Sequence, residues 1–325
     1  CLFGQLVIGA PGSGKTTYCR GVCEFLNGLG RETVIVNLDP GNDVLPYDCA
    51  VDVMDLIRLE EVMEETSLGP NGGLIYCMEY LEQNIDWLKE KLDTCCKGKY
   101  VLFDCPGQIE LFTHHRCMRN MMQRFTNEWD ARLCVVQLVD SHHCSDTSKF
   151  ISAALVSLAT MTLLELPHVN ILSKVDLVQQ YGPLAYNFDF YTQLSELARL
   201  PKLQALREGE GALKAVSPHE RLNVALAQMI DDFSLVHFAP FSVMDKDTVA
   251  YAVRLVDKSN GYQYVSEQEG KGMVGEVIDE TELIELIEHR YMHDPNNPYG
   301  DESTDDEDEI APGGDVAELH ETLER

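Results

Sequence analysis

The sequence predicts an α/β fold of three layers, in which a mostly parallel β-sheet is flanked by helices. Short apolar runs rich in β-branched residues alternate with longer helical patterns along most of the chain. These runs are apolar on both faces, which is typical of parallel strands covered on both sides. The predicted strands are Gln5–Gly9, Thr33–Leu38, Tyr100–Asp104, Leu133–Val139, His168–Ser173 and Val236–Val243.

The helical patterns fill the intervals between these strands and suggest one large domain. Residues 1–260 are predicted to form it, with a helical insertion at about residues 181–232. Residues 261–325 are predicted to be a C-terminal extension, acidic and largely disordered after about residue 294. The predicted helices are Lys15–Asn27, Asp55–Glu65, Gly73–Leu92, Gln108–Asn127, Ser148–Leu164, Pro218–Asp232 and Asp245–Asn260.

Composition and charge exclude some classes of partner. The net charge is −29, and residues 294–325 contain twelve acidic residues and one basic residue. Such a chain would be repelled by a nucleic-acid backbone, so direct nucleic-acid binding is not expected. No uninterrupted apolar run is long enough to span a bilayer, and no membrane contact is expected. The 11 irregularly spaced cysteines indicate a reducing compartment, which favours a cytoplasmic location.

The segment Gly9–Thr16 matches the phosphate-binding pattern G-x-x-x-x-G-K-[ST]. It follows a predicted strand and opens a predicted helix, as that motif requires. Lys15 would reach the β- and γ-phosphates, and the Thr16 hydroxyl would bind Mg²⁺. The backbone N–H groups that would surround the phosphates belong to Gly12, Ser13, Gly14, Lys15, Thr16 and Thr17.

A second motif follows the predicted strand Tyr100–Asp104. Asp104 lies at the tip of this apolar strand, where it would hold Mg²⁺ through water. Gly107 comes three residues later and would let the backbone approach the γ-phosphate. Asp39, at the tip of the second predicted strand, is a further candidate for the Mg²⁺ shell or for orienting water.

The segment Ser173–Asp176 resembles the N-K-x-D guanine motif of GTPases and predicts GTP and GDP as ligands. The Asp176 carboxylate can accept hydrogen bonds from guanine N1–H and the exocyclic amine, and adenine offers neither donor there. The Lys174 stem would cover the base. Ser173 replaces an Asn whose amide normally ties this motif to the phosphate loop, so we expect a lower affinity for guanine. Ser242, at the last predicted strand, is expected to be a second contact to the base.

The stretch Gly69-Pro70-Asn71 is similar to the signature insertion of the GPN-loop GTPases. The residues between about Gly4 and about Asn260 resemble that family, and residues 139–144 look most like the second of its three eukaryotic paralogues. Other stretches that carry the resemblance are Val36–Pro40, Cys77–Tyr80, Phe103–Glu110 and Leu138–Ser141.

The resemblance implies a dimer, either a homodimer or a heterodimer with GPN-loop paralogues. It implies that Asn71 reaches the partner's active site and positions the attacking water and the γ-phosphate. It also implies a role in assembly and nuclear import of RNA polymerases, with polymerase subunits or assembly factors as partners. Shuttling between cytoplasm and nucleus is an open alternative to a purely cytoplasmic location.

Hydrolysis would proceed by in-line attack of water on the γ-phosphate. Gln108 sits where some GTPases keep a water-orienting Gln, and Glu110 is either a catalytic residue or a charge favoured by a helix N-terminus. Two alternatives stay open. One is a nucleotide-gated assembly factor with little hydrolysis. The other is a nucleotide kinase, whose phosphate loop the segment Gly9–Lys15 also resembles, although no arginine cluster occurs in a lid-like segment.

Overall fold

The computed structural model describes residues 2–182, 184, 186–194, 197, 218–262 and 278–292. Its strands form one seven-stranded parallel sheet in the order β3-β2-β4-β1-β5-β6-β7. This sheet, flanked by helices, confirms the predicted fold class. The strands are β1 (Leu2–Gly9), β2 (Thr33–Asn37), β3 (Cys49–Asp52), β4 (Tyr100–Asp104), β5 (Ala131–Asp140), β6 (His168–Ser173) and β7 (Phe238–Phe241).

Helices connect the strands and cover both faces of the sheet. Three 3₁₀ turns, Val53–Asp55, Ser141–Ser145 and Val175–Tyr181, and one π turn, Glu288–Met292, occur among the described residues. The α-helices are α1 (Lys15–Gly28), α2 (Leu59–Thr66), α3 (Pro70–Gln83), α4 (Ile85–Cys95), α5 (Glu110–Thr113), α6 (Cys117–Asn127), α7 (Thr147–Leu164), α8 (Phe188–Gln193), α9 (Pro218–Phe233), α10 (Lys246–Asn260) and α11 (Glu280–Ile287).

The register of the sheet brings the carboxyl ends of its strands to one edge. Val7 of β1 lies beside Asp104 at the end of β4, and Gly9 lies beside Leu138 of β5. Ser173, at the end of β6, lies beside Asp140 on one side and beside Phe241 on the other. In open parallel sheets, ligands bind in the crevice outside these carboxyl ends. The fold therefore gathers the predicted phosphate, metal and base residues at one edge.

Two predicted helices are each divided in the structure, and one strand was not predicted. The edge strand β3 was missed because Cys49–Asp52 is short and only one of its residues is fully buried. The predicted helix Gly73–Leu92 is two helices, separated at Asn84, whose Nδ2 donates to the carbonyl of Tyr80 at 2.8 Å. The predicted helix Gln108–Asn127 is likewise divided into α5 and α6.

The chain divides into two compact units, residues 1–291 and residues 292–325. The first unit contains the sheet and its helices, and in it Arg290 forms ion pairs with Asp245 at 2.7 Å and with Asp247 at 3.0 Å. Apart from Met292, the second unit lies outside the described residues. The predicted boundary at residue 260, the full extent of the helical insertion and the disordered tail stay predictions.

Helix α7 is long and apolar enough to cross a membrane by length and composition alone. It is a helix of the parallel-sheet domain, with Phe150, Ile151 and Ala154 among its buried residues. Its first turn is capped by the Asp146 side chain, which accepts from the N–H of Lys149 at 3.0 Å. A buried helix of a compact domain can meet the same two criteria, so α7 is weak evidence for a membrane span. The expected absence of membrane contact stays a prediction.

Candidate nucleotide-binding site

The glycines between β1 and α1 give the loop a backbone shape that other residues cannot adopt without strain. Gly12 and Gly14 have φ values of 77° and 95°, in the left-handed region. At Gly9, with φ of 153°, a Cβ would lie 2.6 Å from the Leu138 carbonyl oxygen and 2.6 Å from Ser13 Oγ. Gly14 is also the N-cap of α1 and supplies no side-chain cap. The N–H groups of the first turn are therefore available to an anion such as a phosphate.

Lys15 is buried beneath this loop, and its Nζ donates to the carbonyls of Gly9 at 3.2 Å and Ala10 at 3.1 Å. Burial lowers the pKa of Lys15, and the nearby carboxylates of Asp104 and Asp39 oppose that effect. A Cβ on Gly107 would lie 3.2 Å from Lys15 Nζ. The backbone at Gly107 thus lies close to the lysine that is expected to hold the γ-phosphate, and its contact with that phosphate stays a prediction.

The oxygen atoms expected to hold Mg²⁺ lie together beside Lys15. Asp104 is 1% exposed and accepts hydrogen bonds from the hydroxyls of Tyr47, at 2.8 Å, and Thr16. Burial raises the pKa of Asp104, and these two hydrogen bonds and the charge of Lys15 oppose the rise. Burial also raises the pKa of Asp39, whose Oδ1 accepts from the N–H of Gly41 at 3.0 Å.

This donor set fits Mg²⁺ held with a nucleotide. Thr16, Asp39 and Asp104 supply one hydroxyl and two carboxylates, the oxygen ligands that Mg²⁺ prefers. Within the described ranges no group of three or more His, Cys, Asp and Glu side chains could hold a metal ion. Mg²⁺ is commonly bound through one or two carboxylates together with substrate phosphates and water, so this protein set would be completed by a nucleotide.

The base motif is joined directly to the phosphate loop at Ser173. Its hydroxyl, 3% exposed, lies 2.8 Å from the carbonyl oxygen of Ser13 and 3.1 Å from that of Val139. The serine hydroxyl thus contacts the loop in place of the missing amide, and the lower affinity for guanine stays a prediction. The shorter side chain reaches the loop because Ser173 ends a strand two places from β1 in the same sheet.

Lys174 makes a second connection between the base motif and the phosphate loop. It adopts φ of 60°, and its Nζ donates to the Gly12 carbonyl at 2.7 Å and to Asp140 Oδ2 at 2.6 Å. The Ser141 hydroxyl donates to the Lys174 carbonyl at 2.8 Å. Burial raises the pKa of Asp140, but hydrogen bonds from Lys174 and from the N–H of His142 bring it below its ordinary value.

Asp176 lies in the 3₁₀ turn that follows and is partly exposed. Its carboxylate makes no side-chain hydrogen bond with the residues that the structure describes, and its contact with guanine stays a prediction. Ser242 is buried, its N–H donates to Thr248 Oγ1 at 3.0 Å, and its Oγ accepts from the N–H of Met244 at 3.3 Å. These contacts fix the loop after β7, and contact of Ser242 with the base stays a prediction.

Gly69-Pro70-Asn71 forms the first turn of α3 rather than a loop before it. Gly69 is the N-cap, Pro70 occupies the first helical position, and the N–H of Gly73 donates to the Gly69 carbonyl at 2.8 Å. Asn71 Oδ1 accepts from Gln108 Nε2 of the same chain at 2.6 Å. Asn71 and Gln108 are thus brought together beside Gly107, and the action of Asn71 across a dimer stays a prediction.

Two residues at this edge were not identified in the sequence, and the catalytic role of Glu110 stays a prediction. Tyr47 contacts Asp104 across 57 positions, and Asp140 contacts Lys174 across 34 positions. Asp140 could have been found from its place at a strand end beside Ser173. Nothing in the local pattern marks Tyr47. Glu110 is exposed at the start of α5, where its charge suits a helix N-terminus.

A phosphate loop on the central strand, joined through Ser173 and Lys174 to a segment that resembles the guanine motif, is typical of the class of P-loop GTPases. A family model described as "conserved hypothetical ATP binding protein" matches residues 7–262. "GPN-loop GTPase 2" of Danio rerio is 55% identical over 260 residues, which are 80% of this chain and 81% of that protein. "GPN-loop GTPase QQT1" of Arabidopsis thaliana is 47% identical over 298 residues, 90% of this chain and 98% of that protein.

These similarities show that the chain belongs to the GPN-loop GTPase family, and they confirm its likeness to the second paralogue. The apo structure of a GTPase from Pyrococcus abyssi is similar in fold, with a TM-score of 0.63 and 22% identity. That similarity covers 79% of this chain and 97% of the archaeal chain. The description of the family model mentions ATP, whereas Asp176 and the names of the relatives indicate guanine.

Proposed function

We propose that this chain binds GTP together with Mg²⁺ and hydrolyses it to GDP and phosphate. The observation that carries the proposal is the pair of bonds joining the base motif to the phosphate loop. Ser173 contacts the Ser13 carbonyl at 2.8 Å, and Lys174 contacts the Gly12 carbonyl at 2.7 Å. Because the base motif and the phosphate loop are held as one unit, a nucleoside triphosphate can be bound by its base and by its phosphates together. The chain is a GTP hydrolase in which base choice rests on Asp176.

In the proposed reaction a water oxygen attacks the γ-phosphorus in line with the β–γ bridging oxygen. The new P–O bond forms as the bridging P–O bond breaks, GDP leaves, and the water proton passes to the phosphate product. Lys15 and the loop N–H groups stabilise charge on the phosphate oxygens. Bound Mg²⁺ would supply further charge neutralisation there. The Asn71–Gln108 pair orients the water, because each amide can both donate and accept.

Substitution of Asp176 by Asn tests the assignment of the base. Xanthine carries a carbonyl oxygen where guanine carries its exocyclic amine, so an Asn amide suits xanthine and leaves guanine poorly paired. We expect D176N to weaken GDP binding by at least about 100-fold and to gain binding of xanthosine diphosphate. Equilibrium titration with fluorescent nucleotides measures both effects, and ADP is included because of the family model's description.

The exposed Asp189 of α8 provides the matched control. D189N should bind GDP like the unchanged chain. Equal affinity of D176N and D189N for GDP would refute guanine recognition by Asp176. Preferential binding of ADP by the unchanged chain would refute the GTPase proposal itself.

We further propose that the chain works as a dimer, with a second copy or a paralogue as partner. Support comes from α3, where Tyr76 and Tyr80 are 43% and 37% exposed, with Leu68 39% exposed just before the helix. These side chains form a surface that we call the α3 face. Asn71 lies in the first turn of the same helix, so a partner seated on this face would also border the catalytic edge.

The role in assembling and importing RNA polymerases, the cytoplasmic location and shuttling to the nucleus remain proposals that rest on family resemblance. A nucleotide-gated assembly factor with little hydrolysis is the alternative. Capture of polymerase subunits by the chain loaded with a non-hydrolysable GTP analogue, but not with GDP, would support a switch. Equal capture in both states would contradict it.

A further inference from the structure

The loop between β2 and β3 sends one aromatic side chain into the edge of the sheet where Mg²⁺ is expected. Tyr47 is partly buried, and its hydroxyl donates to Asp104 Oδ2 at 2.8 Å. Other parts of this loop are exposed, and Val44 is 82% exposed. The Tyr47 hydroxyl is therefore directed inward by a specific contact in a segment that is otherwise largely at the surface.

Asp104 shares its carboxylate between two hydroxyl donors. Thr16 donates from the start of α1, and Tyr47 donates from the β2–β3 loop. A carboxylate offers about four lone-pair positions, so positions remain for a water of the Mg²⁺ shell while both donors stay in place. Thr16 is itself expected to bind Mg²⁺, which leaves Tyr47 as the donor that has no other predicted task at the site.

The same loop begins with the other carboxylate of the site. Asp39 Oδ1 accepts from the N–H of Gly41 at 3.0 Å, and the Asp39 N–H donates to Asn37 Oδ1 at 3.0 Å. The first residues of the loop are thus fixed to β2, and its later part is fixed to β4 through Tyr47. Two groups at opposite ends of one loop, Asp39 and Tyr47, therefore border the same metal position.

We propose that Tyr47 is a positioning residue that holds Asp104 in the orientation required by the Mg²⁺ of the bound nucleotide. This inference rests on the proposed binding of guanine nucleotide with Mg²⁺ and adds a residue to it. Tyr47 acts through Asp104 and does not itself touch the nucleotide. Loss of its hydroxyl should reduce the gain in nucleotide affinity that Mg²⁺ provides. It should leave the contacts made by the phosphate loop and the base motif unchanged.

Substitution of Tyr47 by Phe removes only the hydroxyl. Fluorescent GDP is titrated into Y47F and into the unchanged chain, first in EDTA and then at increasing Mg²⁺. We expect equal GDP affinity in EDTA. Mg²⁺ should increase GDP affinity in both chains. The Mg²⁺ concentration that gives half of this increase should be about five- to tenfold higher in Y47F, because a hydrogen bond to a charged group is lost. The readout is binding and needs no turnover.

Tyr100 provides the matched control, because it is a buried tyrosine on the same strand as Asp104 and lies at the strand's other end. Its hydroxyl accepts from Asn260 Nδ2 at 3.0 Å. Y100F should lose thermal stability without any change in its Mg²⁺ requirement. If Y47F behaves like Y100F, Tyr47 merely anchors the loop and the inference is overturned. If the unchanged chain binds no guanine nucleotide, the proposed function fails. If both chains bind GDP and Y47F shows an unaltered Mg²⁺ dependence, only the inference about Tyr47 fails.

Discussion

At Ser173 a hydroxyl takes over the connection that an amide was expected to make. The hydroxyl lies within hydrogen-bonding distance of two carbonyl oxygens, those of Ser13 and Val139, and its single proton can serve only one of them well at a time. An Asn at this position could donate two protons and also accept one bond. Ser173 is therefore sufficient to position the base motif but uses fewer hydrogen bonds to do so.

Replacement of Ser173 by Ala should raise the Kd for GDP about fivefold, because one buried hydrogen bond between base motif and phosphate loop is lost. S173N should bind GDP at least as tightly as the unchanged chain. Fluorescent GDP titration measures both variants. The control is S157A, which removes a buried hydroxyl that accepts from Gln137 Nε2 at 3.1 Å. A GDP affinity in S173A equal to that in S157A would show that the connection is energetically unimportant.

The candidate phosphate, metal and base motifs could be found in the sequence because each is contiguous and lies at the end of a recognisable strand. Lys15, Thr16 and Asp104 lie together because neighbouring parallel strands end at one edge, and their roles stay predictions. Tyr47 could not be predicted, since its contact joins residue 47 to residue 104 and depends on the path of a loop. The direction of the Asn71 side chain was equally undetermined by the sequence.

At the scale of elements, the first turn of α3 changes the interpretation of the family's signature. Pro70 occupies the first helical position, where its missing N–H and fixed φ suit a helix start. The turn holds Asn71 against Gln108, which lies four residues after β4 ends at Asp104. A rigid helix end, rather than a flexible insertion, therefore presents Asn71 to the catalytic edge.

Substitution of Asn71 by Ala should lower kcat for GTP by about 100-fold, since one preorganised amide is removed from the transition state. The GDP affinity of N71A should equal that of the unchanged chain, because the phosphate loop and the base motif are unchanged. Single-turnover hydrolysis and nucleotide titration measure the two quantities. N120A is the control, because Asn120 is an amide on α6 that donates to Glu82 Oε1 at 2.7 Å, outside the site. Unchanged turnover in N71A would refute the role.

Mixing N71A with K15A distinguishes action within one chain from action across a dimer. K15A cannot stabilise the phosphates but retains Asn71. If Asn71 serves the partner's site, the mixture recovers activity that neither variant has alone. If Asn71 serves its own chain, as its contact with Gln108 favours, the mixture remains inactive.

The sequence predicted the long strands because their apolar runs are continuous and buried. It failed where an element depends on its neighbours. β3 forms only because β2 offers it an edge, with Val36 opposite Val51. At the break Asn84 leaves helical geometry, with φ of −105° and ψ of 29°. Its N–H still donates to the Tyr80 carbonyl, and its side chain adds a second bond to the same carbonyl. The helical periodicity on both sides of Asn84 conceals that break.

At the scale of the whole molecule, the α3 face is the surface through which we propose that the dimer forms. Three large side chains, Leu68, Tyr76 and Tyr80, are exposed near the catalytic edge, and aromatic residues are common energetic centres of interfaces. Exposed glutamates of α2, including Glu60 and Glu64, lie on the helix that packs against α3. A partner is therefore expected to bring apolar side chains to the face and basic side chains to its rim.

Introducing a charge on the α3 face by Tyr76→Glu should weaken the dimer by about 100-fold, as expected for the loss of a central aromatic residue. Light scattering of the chain loaded with a non-hydrolysable GTP analogue measures the dissociation. L163E is the control, since Leu163 of α7 is 37% exposed and lies on another helix. GDP binding by each chain should be retained. A Y76E protein that remains as dimeric as L163E would exclude the α3 face from the interface.

The position of β1 in the sheet has a consequence for how the protein is made. β1 is the first strand of this sequence, yet its two neighbours are β4 and β5, which begin at residues 100 and 131. During synthesis β1 ends 91 residues before β4 begins, so neither neighbour is present when β1 leaves the ribosome. An unpaired apolar strand is prone to wrong pairing. The strand that carries the phosphate loop therefore stays without its sheet neighbours until β4 has been synthesised.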